Sequence, residues 1–260
     1  MDKPKFDIAS KRKLLYKRKR RRELIFRLSL LLISIFILSI ILLLNRKPYL
    51  NKKITSITNN TNDIVICIDP GHGDWDTGAK GSSGSLEKNI VLDISLELGK
   101  LLEENGLKVV YTRTNDSLPW LDTANDSLRE RIKISEVLKS DLFISIHCNS
   151  NYADKDAKGV ETWYKSKDEN SKNLSLTIQE ALVNLNYTED RGIKTYTDKE
   201  NALAVLELNS SISSLLELGF LSNSSDERYL NSEKGQKAIT IAIKNAVLDY
   251  IEKNKSTLNN

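Results

Sequence analysis

The chain of 260 residues has only two histidines and two cysteines. Two cysteines make no disulfide framework, and by themselves no four-ligand zinc site. Cys67 and Cys148 both fall in apolar, strand-like runs, where a free thiol serves as a small buried side chain. Excess positive charge is missing from the part of the chain able to fold. Residues 1–27 hold 12 Lys and Arg against 3 Asp and Glu, so the formal net charge of +4 leaves −5 for residues 28–260. A nucleic-acid binder would carry its basic surface on the folded domain, so no nucleic-acid partner is expected. No internal repeat is present, which excludes a solenoid.

One long apolar run is present. "LSLLLISIFILSIILLL", Leu28 to Leu44, is 17 residues without a charge, near the lower limit for a membrane-spanning helix. Leu24, Ile25 and Phe26 extend it, because Arg27 can snorkel to the interface. A buried core helix would keep a polar stripe, and this run has only scattered serines. Residues 24–44 therefore read as a transmembrane anchor. It follows a basic cytoplasmic segment, residues 1–23, suited to an anionic inner leaflet. The basic block ahead of the run directs the rest of the chain outward. The run ends in "LLLNRKPYL", without a small-x-small cleavage site, so the anchor is expected to stay attached. Residues 45–63 are polar and read as a linker. The expected location is a single-pass cell-membrane protein with its domain on the extracytoplasmic side.

Residues 64–254 read as one α/β domain, followed by a disordered tail at 255–260. "IVICID" is a short buried strand. "EKNIVLDISLELGKLLEENG" has apolar residues at 90, 91, 94, 98, 101 and 102, a helical period, with Gly106 fitted to end it. "LKVVYTR", "DLFISIH", "GVETWY" and "SSLLELGF" predict further strands. "SLRERIKISEVLKS", "NSKNLSLTIQEALVNL" and "EKGQKAITIAIKNAVLDYIEKN" predict helices. Strands alternating with helices predict a single three-layer domain, its mainly parallel sheet covered on both faces. Sites in such folds form at the carboxyl ends of strands.

Both histidines fall there. His72 lies just beyond the first strand, in "CIDPGHGD", and His147 ends the third, in "LFISIHCNS". Two imidazoles on strand ends suggest a zinc site lacking one ligand, since catalytic zinc takes three protein ligands, His and Glu among them. Glu87 is the candidate third ligand: it begins the first helix, after a loop long enough to fold back over His72. Taken alone, a glutamate there is a solvated partner of the helix dipole. Glu217 interrupts the apolar run "LLELGF", where a carboxylate is costly unless paired or functional. Beside a zinc site it is a candidate general base. Cys148 should point to the opposite side of its strand, away from His147. Arg131 has two readings, a ligand for a substrate carboxylate or the partner of a core acid. Asn149 is a further candidate for substrate binding.

Four ordered blocks, "IVICIDPGHGDWDTGAKG…LEKNIVLDIS", "SLRERIKIS…SDLFISIHCNS", "GVETWY" and "LLELGFLSN", resemble the zinc-dependent N-acetylmuramoyl-L-alanine amidases of bacterial cell-wall turnover. The resemblance spans residues 64–252. It implies a six-stranded sheet with helices on both faces, and peptidoglycan as substrate, cleaved between N-acetylmuramic acid and the L-alanine of the stem peptide. It also implies one zinc ion on His72, Glu87 and His147, with Glu217 as the catalytic glutamate. The short, singly anchored form is similar to the CwlD type, which acts on spore cortex. Larger members carry wall-binding repeats or an inhibitory helix, and neither is expected here. The chain departs from the family at Ser135, where asparagine is usual, and at Glu207, where arginine is frequent. Two other readings remain: a catalytically inactive amidase fold that binds peptidoglycan or activates a partner, and a zinc carboxypeptidase acting elsewhere on the stem.

Overall fold

A computed structural model describes residues 64–118, 123–196 and 203–258. The expected anchor and linker lie outside the described residues. Among the described residues, no helix is long and apolar enough to cross a membrane. Six strands form one sheet: β1 (Val65–Pro70), β2 (Lys108–Tyr111), β3 (Leu142–Asn149), β4 (Val160–Tyr164), β5 (Asp190–Lys194) and β6 (Ile212–Phe220). The helices are α1 (Glu87–Glu104), α2 (Ala124–Val137), α3 (Glu169–Val183), α4 (Ala204–Glu207), α5 (Ser224–Leu230), α6 (Glu233–Lys253) and α7 (Lys255–Leu258).

The strand order is β2-β1-β3-β6-β4-β5. The first four run parallel, while β4 pairs antiparallel with β6 and parallel with β5, so the sheet is mixed. β1, β3 and β6 are adjacent and parallel, which gathers their carboxyl ends along one edge of the sheet.

Strand alternation sorts the side chains onto two faces. Ile66 and Ile68 of β1, Leu142, Ile144, Ile146 and Cys148 of β3, and Leu216 and Leu218 of β6 enter the larger core. There they pack against the apolar stripes of α1, α3 and α6. On α1 that stripe is Ile90, Val91, Ile94, Leu98 and Leu102, each buried and each contributing roughly 1.5–3 kcal/mol over exposure. α1 stops at Gly106, whose φ of 84° suits glycine, with the Leu107 amide returning to the Leu102 carbonyl. Cys67, Phe143 and Leu215 face the other way, into a smaller core with Val205 and Leu206 of α4 and Leu128 of α2. Asp69, Ser145, His147 and Glu217 share the parity of that second face. It holds less apolar packing, and at its carboxyl edge it opens into a cavity.

Three elements carry no pattern that the sequence reading used. β5, "DRGIK", is an edge strand with two exposed residues and a glycine. α4 and α5 are four and seven residues long, too short for a helical period to show. The expected disordered tail is corrected in part: residues 255–258 form a helical turn, because Leu258 packs against the larger core.

Candidate metal centre and active site

Three ligand atoms converge at the carboxyl edge. His72 Nε2 lies 3.0 Å from Glu87 Oε1, His147 Nδ1 lies 3.1 Å from the same oxygen, and the two ring nitrogens are 3.1 Å apart. Glu87 is buried and the histidines half-buried. This triangle fits a cation. Nitrogen and oxygen ligands about 2.05 Å from zinc in a tetrahedron stand about 3.3 Å apart, close to the distances found. The donor set has the same implication: His72 Nδ1 is 2.9 Å from Asp76 Oδ2, and with that nitrogen protonated, Nε2 turns a lone pair toward a carboxylate oxygen. Two such acceptors facing each other need a proton or a metal between them. Asp76 plays the part that carboxylates commonly play behind metal-binding imidazoles, fixing the ring and its tautomer.

Backbone and loop chemistry set each ligand. His147 lies two residues from the end of β3, and its ring lies against Gly71, where a Cβ would fall 2.3 Å from its Cε1. Glu87 is the first residue of α1. Its Oε2 accepts from the Ala79 amide at 2.7 Å and its Oε1 from the Cys148 amide at 2.8 Å, so the carboxylate is held on both sides. Burial alone would raise the Glu87 pKa, but hydrogen bonds to His147 and His72 hold it well below the usual carboxylate range. Burial likewise lowers the His72 pKa, and Glu87 and Asp76 outweigh that and raise it.

Glu217 faces the cavity of about 400 Å³ that His72, His147, Asp69, Asp76 and Arg131 also line. It pairs in register with His147 across β3 and β6. Its Oε2 is buried and has no hydrogen-bond partner. Burial, with the charges of Glu87 and Glu161, pushes its pKa well above the carboxylate range, against a smaller pull from Lys194. A half-buried carboxylate whose buried oxygen has no partner, beside a candidate cation site, is disposed to exchange a proton with a bound molecule.

The pattern of the N-acetylmuramoyl-L-alanine amidases matches residues 66–249. The chain belongs to that family. The amidase LytC of Bacillus subtilis is 33% identical over 212 residues, covering 80% of this chain and 40% of LytC. The germination-specific amidase of the same organism is 29% identical, over 72% of this chain and 79% of its own length. The CwlD amidase of Clostridioides difficile, solved in complex with the GerS lipoprotein, superposes with a TM-score of 0.65 at 31% identity. That match covers 74% of this chain and all of CwlD.

In this amidase domain, Arg131 takes the second of its two readings. It is 4% exposed and donates to Asp69 Oδ1 at 2.7 Å, to the Pro70 carbonyl at 2.7 Å and to the His72 carbonyl at 2.6 Å. Arg113 adds bonds to the Pro70 and Gly71 carbonyls. The two guanidinium groups therefore grip three successive carbonyls of "PGH". Asp69 is the counter-charge, also bonded by Thr112 and Ser145. Burial raises its pKa, but the Arg131 charge and these bonds outweigh it and lower the value. Asn149 is turned toward Glu161, its Nδ2 3.2 Å from Oε1, and its Oδ1 accepts from Ser150. Glu161 also binds Trp163, Arg191 and Lys194, a polar row beside Glu217 that sequence reading missed because β5 is hidden in it. Cys148 points into the larger core, as expected. Ser135 is buried among Ser140, Asn209 and Ser211, and Glu207 accepts from the Tyr196 hydroxyl. Both are occupied within the fold.

Proposed function

We propose that the protein hydrolyses the amide between N-acetylmuramic acid and the first L-alanine of the stem peptide, with one zinc ion held by His72, Glu87 and His147. The observation that supports this reading is the convergence of those three ligand atoms beside the cavity that His72, His147 and Glu217 line, where Glu217 Oε2 has no hydrogen-bond partner. A zinc ion there supplies Lewis acidity at the amide carbonyl and lowers the pKa of water to about 7. Glu217 accepts the proton of the attacking water and delivers it to the departing alanine nitrogen. Its raised pKa suits both halves of that transfer. Asp76 keeps the His72 ring oriented, and the Asp69–Arg131 pair keeps the His72 backbone in place.

We further propose that residues 24–44 anchor the domain at the outer side of a bacterial membrane. The uncharged run of Leu28–Leu44 behind a basic segment supports this. The substrate is then cell wall or spore cortex, and likeness to the germination-specific amidase and to CwlD favours cortex. An accessory lipoprotein is a candidate partner, by analogy with CwlD.

The test is zinc-loaded full-length protein on defined muropeptides, read by mass spectrometry. Release of the intact stem peptide with a free L-alanine amine is expected. A zinc-loaded protein that binds muropeptide and cleaves nothing would establish the inactive binding fold instead. Loss of a residue from the carboxyl end of the stem would establish a carboxypeptidase.

A further inference from the structure

The loop between β1 and α1 has a composition that offers nothing to hold it. "GSSGS", Gly81 to Ser85, contains no apolar side chain, and such sequence is ordinarily flexible. Here it forms the tip of a narrow hairpin. Lys80 bridges Leu86, the Gly81 amide bonds the Ser85 carbonyl at 2.9 Å, and the Glu87 amide bonds the Ala79 carbonyl at 2.9 Å. The base of this hairpin is the Ala79 amide that occupies Glu87 Oε2, while Oε1 meets the two imidazoles and the Cys148 amide.

The tip closes on a single carboxylate, Glu227 of α5. Ser82 Oγ donates to Oε2 at 2.8 Å, while Ser83 Oγ at 2.5 Å, Ser85 Oγ at 2.6 Å and the Ser83 amide at 2.9 Å all donate to Oε1. The approach is close enough that a Cβ at Gly81 would stand 2.0 Å from Oε1. Glu227 is 3% exposed, and no ion pair among the described residues uses it. Burial would raise its pKa, but the hydroxyls of Ser83, Ser85 and Ser82 and the Ser83 amide hold it at about 2, so it is charged at neutral pH. A buried anion satisfied only by one loop's donors orders that loop.

We propose that Glu227 is a positioning residue for the metal ligand Glu87, acting through the serine hairpin. This rests on His72, Glu87 and His147 being the metal ligands. α5 has no need of Glu227 for its own shape. Asn223 caps it by accepting from the Ser225 and Asp226 amides, and Asp226 locks it to the Gly159 and Phe220 amides. α5 also follows β6, which carries Glu217. One carboxylate thus ties the element bearing the base to the loop presenting a ligand, across 142–145 residues of chain.

The experiment measures zinc affinity by chelator competition on the full-length chain, well below its unfolding temperature, together with the melting temperature of the metal-free protein. Glu227→Gln and the paired change Ser83→Ala with Ser85→Ala are each made alone and in a Glu87→Ala background. Either should weaken zinc binding about tenfold or more, the usual scale for residues that orient ligands. Neither should weaken it further once Glu87 is gone. A purely structural role predicts a lower melting temperature with zinc affinity unchanged within twofold, and that outcome overturns the proposal. Equal weakening in the Glu87→Ala background overturns it too. If Glu227→Gln fails to fold, the serine variant, which leaves α5 untouched, decides by the same criteria. A wild-type chain that binds no zinc refutes the metal centre itself, and is recognised before any variant is made.

Discussion

Glu217→Gln separates the chemistry of the site from its architecture. The substitution keeps the shape of the side chain and removes its capacity to take a proton. If Glu217 is the base, turnover falls about 100-fold or more, which is about 2.7 kcal/mol on the barrier. Zinc stoichiometry stays at one, because Glu217 is not among the converging ligand atoms. Stability moves in a direction that the structure sets. The folded-state pKa of Glu217 is raised, so its contribution to stability is fully present below the unfolded value of about 4.3 and is lost as pH rises through the folded value. Above that range the fold holds a buried charge whose Oε2 has no partner. A neutral glutamine relieves this, so the metal-free variant should melt no lower than wild type at pH 5 and progressively higher relative to it as the pH rises. The wild type's kcat/KM should fall on an acid limb as Glu217 takes up a proton and can no longer act as base, and the variant's residual activity should lack that limb. Zinc content, melting temperature and turnover are measured on one preparation. A zinc-loaded, stable Glu217→Gln protein with near-normal turnover refutes the mechanism. A variant that melts lower but turns over normally per folded molecule assigns Glu217 to the architecture.

Other expected outcomes follow from the surrounding residues. His72→Ala or His147→Ala should each empty the site, which metal analysis of the purified protein checks, while Asp76→Asn should keep the metal but weaken it about tenfold in chelator competition. Arg131→Met should destabilise the fold by about 3–5 kcal/mol in urea unfolding, because Asp69 is 1% exposed and loses its counter-charge, and adding Asp69→Leu should recover much of that loss. The folded pKa of Asp69 is lowered, so the stability it contributes is present above an unfolded value of about 3.9 and lost as pH falls below it; the double variant should show a shallower acid limb of stability. The full-length protein should stay with membranes through a high-salt wash, its C-terminal domain open to external protease, and a soluble form beginning after residue 44 would refute the anchor.

The candidate metal centre was legible because its residues interrupt simple patterns. β1 and β3 are apolar runs, so a histidine just past the end of the first and another near the end of the third are conspicuous, and β6 is an apolar run broken by Glu217. α1 was legible from its period, and Glu87 from its position at the start of that helix. What stayed hidden is made of long-range polar contacts. Arg131 left two roles open because nothing local distinguishes a guanidinium aimed at a ligand from one aimed at Asp69, 62 residues away. The Glu161 row depends on β5, whose "DRGIK" has neither alternation nor an apolar run; a strand at the sheet edge needs only one paired side. Glu227 sits in a seven-residue polar helix, and the serines it holds read as an ordinary loop.

His72 shows why the hidden contacts matter to the legible ones. Its φ is 59°, left-handed geometry that a non-glycine residue adopts only when its surroundings impose it. Two groups impose it from opposite ends: Arg131 holds its carbonyl, and Asp76 holds its ring. Arg131 is in turn fixed by Asp69, which stands on the same β1 strand end that launches the loop. The strand supplies both the direction of the loop and the anchor of the arginine that bends it. A change that loosens the Asp69–Arg131 pair therefore reaches the proposed metal ligand through the His72 backbone as well as reaching the fold through a buried charge. Stability and zinc affinity should fall together at Arg131, whereas at Glu217 the mechanism requires that turnover fall while neither of them does.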